Sequence, residues 1–200
     1  MRLVDIALLS KDIHDKISLD CNDISPISII SDTTPCIKTQ ISKYFKNKVS
    51  ISVRSTDITN SEQVGMFRKY NIDNNESIII NVSNALNSCW SRFVATKELV
   101  HSIIGDYQPK TQTTDILELI SSLVEQKNFK IDDEVSPEYT AWIFAVELLL
   151  PYCHDNIIMD SDNYTSYQIA EMFKVPEQIV DTVRTEDYRK LRTKCYEDLD

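Results

Sequence analysis

The chain has 200 residues, of which 42% are hydrophobic, and this composition favours one domain with appendages over two independent domains. No apolar run approaches the length that spans a bilayer, and the N-terminal stretch carries acids within its apolar part, unlike a signal peptide, so we expect a cytoplasmic protein. A net charge of −10 disfavours direct binding to nucleic acid and makes a protein or peptide partner the better expectation.

The cysteines predict reduced thiols. Their number is odd, their spacing is irregular and none of them forms a C-x-x-C pair, which argues against both a disulfide scaffold and a zinc ribbon. The five positions are Cys21, Cys36, Cys89, Cys153 and Cys195.

The N-terminal quarter predicts two helices joined by a loop. Apolar residues recur at helical spacing over 3–18, and His14 within this helix is expected to be a packing or surface histidine. Residues 21–35 are rich in Asp, Ser, Thr and Pro, which is typical of a loop. A second helix is predicted over Ile37–Lys46, with the inward residues Ile37, Ile41, Tyr44 and Phe45.

Three strands are predicted next. Val49–Thr56 alternates apolar and polar residues, Met66–Tyr70 is compatible with a strand, and Ser77–Val82 contains three consecutive isoleucines. Gly65, one of only two glycines, indicates either a positive φ or a close backbone approach. A strand at the sheet edge could receive an extended peptide through backbone hydrogen bonds, and a purely structural sheet is the alternative.

A helix is then predicted over Arg92–Ile104, with Gly105 as its C-terminal cap. A metallopeptidase helix holds zinc with two histidines one turn apart and places a glutamate beside the first histidine as general base. Glu98 and His101 fit this pattern, but Lys97 stands where the first histidine is required. Alone, the E-x-x-H spacing is a weak signal, and a surface glutamate with a hydrogen-bonded structural histidine is the more common interpretation.

Further along, apolar residues predict a helix over Asp115–Gln126 and a second long amphipathic helix over Glu138–Pro151. The charged segment between them is expected to be an exposed loop. Its acids could attract a cation, although a solvated acidic loop is the simpler interpretation; they are Asp132, Asp133 and Glu134.

Together the two helices resemble the ImmA/IrrE family of metallopeptidases, in which R-F-x-x-A-H-E-x-x-H is followed by E-x-x-A-N-x-F-A-x-E-L-L-x-P. Arg92, Phe93, Glu98 and His101 match the first motif. The second motif is matched by Glu138, Ala141, Phe144, Ala145, Glu147, Leu148, Leu149 and Pro151. The strands and glycine turn upstream extend the resemblance over 49–151. Lys97 departs from the first motif, and Trp142 replaces the usual asparagine of the second.

The resemblance implies an α+β, zincin-like fold that is mainly helical, with a small antiparallel or mixed sheet packed beside the active-site helix. It divides the chain into an N-terminal helical segment (1–48), a zincin-like core (49–151) and a helical, helix-turn-helix-like appendage (152–200), which we expect to form one compact unit. The appendage lacks a basic recognition helix and is expected to serve in packing and partner binding. The tail from Glu186 is predicted to be a solvated helix that frays.

The resemblance also implies the site. Glu98 corresponds to the general base, and His101 and Glu138 to two of the metal ligands, while Lys97 replaces the third. Zinc would therefore be absent or weakly held unless another group completed the site, and the sequence does not single one out among Cys89, Cys153, His154 and the acidic loop.

Two functions follow. The ammonium of Lys97 could pair with Glu98 or Glu138 and replace part of the metal's charge, but it cannot act as a Lewis acid. The first function is therefore a degenerate or inactive peptidase that binds a protein partner, which the resemblance suggests is a repressor in stress or mobile-element control. The alternative is an active metal-dependent endopeptidase in which Glu98 is the general base.

Overall fold

The computed structural model describes residues 2–17, 22–31, 35–45, 49–58, 64–72, 75–104 and 137–197. These ranges contain eight α-helices, one 3-10 helix and one three-stranded sheet. The helices are α1 (Leu3–Lys16), α2 (Ile37–Ser42), α3 (Ser88–Ile104), α4 (Pro137–Leu149), α5 (Asp155–Ile158), α6 (Ser166–Phe173), α7 (Glu177–Val183) and α8 (Glu186–Glu197), and the 3-10 helix is Tyr152–His154. The strands are β1 (Val49–Thr56), β2 (Gly65–Ile72) and β3 (Asn75–Ser83).

Several predictions from the sequence fall outside the described residues. They are the Gly105 cap, the helix over 115–126, and the acidic loop with Asp132, Asp133 and Glu134.

The sheet is mixed, with β3 in its centre. Strand β3 runs parallel to β1 and antiparallel to β2. The isoleucine run explains the central position, because Ile78 and Ile80 point to the helical side and are fully buried, while Ile79 points to the opposite side. The three predicted strands are confirmed, and β2 and β3 are longer than expected. The expected α+β fold, mainly helical with a small sheet beside helix α3, is also confirmed.

Helix α4 is the centre of the core. Pro137 is its first residue, a position where the missing N–H of proline costs no hydrogen bond. All residues from Thr140 to Leu149 are buried. The sequence predicted an amphipathic helix, but α4 is enclosed on every side by α3, α1 and the C-terminal helices.

The N-terminal helices pack on this centre. Helix α1 contacts α4, and the Nε2 atom of His14 lies 3.2 Å from the carbonyl oxygen of Leu148. Helix α2 ends at Ser42, earlier than predicted. The predicted inward position of Tyr44 is wrong, since the ring is 38% exposed and its hydroxyl donates a hydrogen bond to Asp12.

The C-terminal helix is not the solvated, fraying tail that its charge pattern predicted. Three side chains of α8 converge on Glu147, which is 3% exposed in the middle of the core. The Tyr188 hydroxyl donates to Glu147 Oε1 at 2.8 Å, and Arg192 Nε and the Tyr196 hydroxyl donate to Oε2 at 3.1 and 3.0 Å. Arg192 also pairs with Asp155 at 2.6 Å. Because these buried charges satisfy one another, α8 is fixed to α4.

Helices α6 and α7 are joined by a short turn and pack against each other. Thr165 caps α6 in a reciprocal capping box with Gln168, and Lys174 ends the helix in the left-handed conformation with a φ of 52°. In the described part of the chain, no helix is both long and apolar enough to cross a membrane.

Candidate functional site

Helix α3 places three charged or polar side chains inside the protein. Lys97, Glu98 and His101 are 6%, 1% and 1% exposed. Lys97 and His101 are one turn apart and therefore share a face of the helix, whereas Glu98 is rotated toward strand β2. Buried charges of this kind are rare unless they are paired, so the cluster indicates a specialised site.

Glu138 completes the cluster from the first turn of α4. Lys97 Nζ donates a hydrogen bond to Glu138 Oε1, and His101 Nε2 lies 2.9 Å from Oε2. The Glu138 side chain is 29% exposed and is the most accessible member of the cluster. The structure thus brings together the four site residues that the sequence singled out: Lys97, Glu98, His101 and Glu138.

The pKa values of the two carboxyl groups are displaced in opposite directions. Burial raises the pKa of Glu98, and the charge of Lys97 opposes this only in part. Burial would also raise the pKa of Glu138, but the hydrogen bonds with His101 and Lys97 and the Lys97 charge together lower it to about 2. Glu138 is therefore ionised at neutral pH. Because a carboxylate only accepts hydrogen bonds, His101 Nε2 carries the hydrogen between them.

Glu98 has an incompletely satisfied carboxylate. Lys97 Nζ lies 3.5 Å from Oε1, and Oε2 has no hydrogen-bond partner among the described residues. Gly65 of β2 faces this carboxylate. A Cβ atom at that position would overlap Val94 Cγ1 and lie 3.3 Å from Glu98 Oε1. The close approach of strand and helix, one of the two possibilities indicated by the sequence, therefore explains the glycine.

Strand β2 contributes a residue that the sequence did not single out. The Phe67 ring stacks on His101, with ring centroids 6.0 Å apart and an angle of 12° between the planes. Phe67 lies two residues after Gly65, so both face α3. This alternation is the signal that could have identified Phe67 from the sequence.

The candidate ligands that lie in the described ranges, Cys89, Cys153 and His154, do not join the cluster. Cys89 lies on α3 two helical turns before Lys97, which is a separation of about 12 Å along the axis. His154 is buried against Phe173, with ring centroids 5.5 Å apart, and Cys153 beside it is exposed. The four cysteines in the described ranges form no disulfide. No group of three His, Cys, Asp or Glu side chains in the described part could hold a metal ion.

The described residues do not fit the zinc ion that the resemblance implies. A catalytic zinc site uses three protein ligands, and only His101 and Glu138 are present here in the corresponding positions. The Lys97 ammonium already supplies a positive charge to Glu138.

The fold and this cluster define the class: a metallopeptidase-like scaffold with a lysine one helical turn before its site histidine. The chain belongs to the ImmA/IrrE family, because the peptidase family model described as "IrrE N-terminal-like domain" matches residues 47–182.

Comparisons with individual proteins are less informative. No curated protein matches the sequence. A solved structure, described as a Mycobacterium tuberculosis transcriptional regulator, is similar at 17% identity with a TM-score of 0.48 over 89% of this chain. The aligned region is 45% of that protein, so this chain spans less than half of its length.

Proposed function

We propose that this protein is a degenerate peptidase of the family, in which Lys97 has replaced the metal and the scaffold serves to bind a protein partner. The partner class that the family resemblance favours is a regulatory protein such as a transcriptional repressor in stress or mobile-element control. The observation that supports the proposal is the contact of the Lys97 ammonium with Glu138 and its position 3.5 Å from Glu98.

Charge compensation by Lys97 supports this proposal. Two carboxyl groups and one imidazole in a buried site need a cation or protons to offset their desolvation. A metal ion would do this in an active family member, whereas Lys97 does it here with a covalently attached charge and three N–H donors. The folded protein then needs no ion to stabilise the cluster.

The same exchange removes the hydrolytic chemistry. A lysine ammonium can neither polarise a scissile carbonyl as a Lewis acid nor lower the pKa of a bound water to near neutrality. What the scaffold retains is the sheet, the helices and the cluster that joins α3 to α4, which is sufficient for binding.

Protein binding is favoured over DNA binding by the pair of helices α6 and α7. The second helix of the pair, α7, exposes Glu177, Gln178 and Asp181. Two of these side chains are acidic and repel a phosphate backbone, whereas a recognition helix requires cationic and amide side chains.

The alternative is an active metal-dependent endopeptidase, and one observation favours it. Glu98 has a raised pKa and a buried Oε2 atom without a partner among the described residues, as expected for a general base whose free oxygen can accept a proton from a water molecule. A third metal ligand would then have to come from residues outside the described ranges.

A hydrolysis assay distinguishes the two functions. Wild type, Lys97→His and the double variant Lys97→His with Glu98→Gln would be incubated with a mixture of quenched fluorescent peptides, with added Zn²⁺ or with a chelator. We expect no hydrolysis by wild type under either condition. Zinc-dependent hydrolysis by Lys97→His that is lost in the double variant would show that the rest of the machinery is intact.

If wild type hydrolyses the peptides, and if both the chelator and a Glu98→Gln substitution in wild type abolish this hydrolysis, the proposal is contradicted and the alternative is established. A Lys11→His variant, altered at an exposed lysine of α1, is the matched control for the added histidine.

A further inference from the structure

One face of the sheet is turned away from the site. Gly65 and Phe67 of β2 point toward α3, as their contacts with Glu98 and His101 show. Because side chains alternate along a strand, Arg68 points to the opposite side of the sheet.

The three rows that cross all three strands place nine side chains on this opposite side, and we call these nine the outer sheet face. Three rows cross the strands in the order β1, β3, β2. The rows are Ser50, Ser77 and Tyr70; Ser52, Ile79 and Arg68; and Arg54, Asn81 and Met66. The chain contains 31 acidic residues, yet none of the nine is acidic. The outer sheet face is therefore a cationic and hydroxyl-rich surface on a strongly acidic protein.

The two guanidinium groups of this face have no partner within the described part of the chain. Arg54 and Arg68 are exposed, and among the described residues neither forms an ion pair or a side-chain hydrogen bond. Tyr70 is 39% exposed beside them. Unpaired guanidinium groups among hydroxyl and amide groups are a ready binding surface for an anionic group.

We propose that the outer sheet face binds a short acidic segment of a protein partner. Arg54 and Arg68 lie on either side of β3, two inter-strand spacings apart and offset by two residues along the strands, which places their Cα atoms about 12 Å apart. In an extended peptide, side chains at i and i+4 lie on one face about 13 Å apart, so two carboxylates at this spacing match the two guanidinium groups. The serines and Asn81 can donate hydrogen bonds between them.

Charge and composition favour an acidic peptide over a single-stranded nucleic acid. The outer sheet face covers roughly 300 Å². The phosphates of a nucleic acid would extend beyond it, where the acidic protein, with a net charge of −10, would repel them. Base recognition on a sheet also uses several aromatic side chains for stacking, and the outer sheet face has only Tyr70. A short peptide with a few carboxylates avoids both difficulties.

This binding surface is independent of the peptidase question. It shares no residue with the cluster of Lys97, Glu98, His101 and Glu138, and it lies on the other side of the sheet. It rests on the proposed function only in the expectation of a protein partner. Metal binding or hydrolysis by wild type would therefore leave it untouched, and its own failure would say nothing about metal.

The test is a fluorescence anisotropy titration of the full chain at low ionic strength, where charge pairs are least screened. The probes are a labelled nonapeptide with glutamate at every second position, its glutamine counterpart, and a labelled oligothymidylate. We expect the glutamate peptide to bind, the other two probes not to bind, and Arg54→Gln with Arg68→Gln to weaken peptide binding about tenfold.

The matched control is Arg189→Gln with Lys194→Gln, which removes two exposed cations from α8 and should leave the affinity unchanged. An equal loss of peptide affinity in both double variants would show that only the net charge matters, and it would overturn the proposal. Absence of peptide binding, equal binding by wild type and the double arginine variant, or preferential binding of the oligothymidylate would overturn it as well.

Discussion

Replacing Lys97 by methionine should destabilise the protein at neutral pH. The substitution keeps most of the side-chain volume and removes the ammonium that contacts Glu138 and lies near Glu98. The pKa of about 2 for Glu138, compared with an ordinary 4.5, corresponds to roughly 3 kcal/mol in favour of its ionised form. His101 provides part of this, and the 29% exposure of the side chain reduces it further.

Stranding a buried charge by removing its partner costs about 3–5 kcal/mol. Glu98 can limit this cost by taking up a proton, so we expect a loss of about 2–3 kcal/mol in the free energy of unfolding. The measurement is urea unfolding of Lys97→Met followed by circular dichroism. Lys11→Met removes an exposed lysine and is the control, with an expected change below about 0.5 kcal/mol.

Two further measurements show whether the loss comes from the carboxylate. Adding Glu138→Gln to Lys97→Met should recover most of the stability, because the uncompensated charge is then gone. Because the pKa of Glu138 is lower in the folded protein, its ionised form stabilises the fold above pH 4.5, and this stabilisation is lost as the pH falls toward 2. The free energies of unfolding of wild type and Lys97→Met should therefore converge as the pH falls below 4.5. A Lys97→Met protein within about 0.5 kcal/mol of wild type at pH 7 would refute the reasoning.

Three other substitutions test the surrounding fold. Burial lowers the pKa of His14 from 6.5 to about 4, so stability should fall by about 3 kcal/mol as the pH drops from 6.5 to 4, and a His14→Gln variant should show a flatter pH profile of urea unfolding. Gly65→Ala should lower stability by about 1–3 kcal/mol in thermal unfolding, because the added Cβ would overlap Val94. Adding Val94→Ala should recover part of this loss. Unchanged stability of Gly65→Ala alone would contradict the close approach of β2 to α3. Arg192→Met should cost about 3–5 kcal/mol because it strands Glu147, and retention of the wild-type melting temperature would show that the ion pair is unimportant.

The sequence predicted most of the elements that surround the site. Val49–Thr56 was predicted with its observed bounds, because half-buried strands alternate visibly, and the isoleucine run identified the central strand. The two helical motifs predicted the residues of the site cluster. They also indicated that Lys97 could pair with Glu98 or Glu138, and the structure shows the contact with Glu138.

Local patterns failed where distant partners decide the structure. Helix α8 looks solvated because its charges alternate in sign, and only Glu147, more than 40 residues away, shows why Arg192 is buried. Tyr44 looks like a core residue by spacing, but α2 ends at Ser42 and the ring packs instead at the surface near Asp12. Alternation from Gly65 indicates that Phe67 faces α3, but its stacking on His101 depends on how β2 lies against α3, which no local pattern fixes.

The most direct test of the central claim is the zinc content of the purified, untagged protein, measured by elemental analysis after zinc loading and dialysis. If Lys97 stands in place of the metal, wild type should retain no zinc, whereas Lys97→His should retain one zinc ion per chain. Stoichiometric zinc in wild type would contradict the account and direct the search to a third ligand outside the described residues.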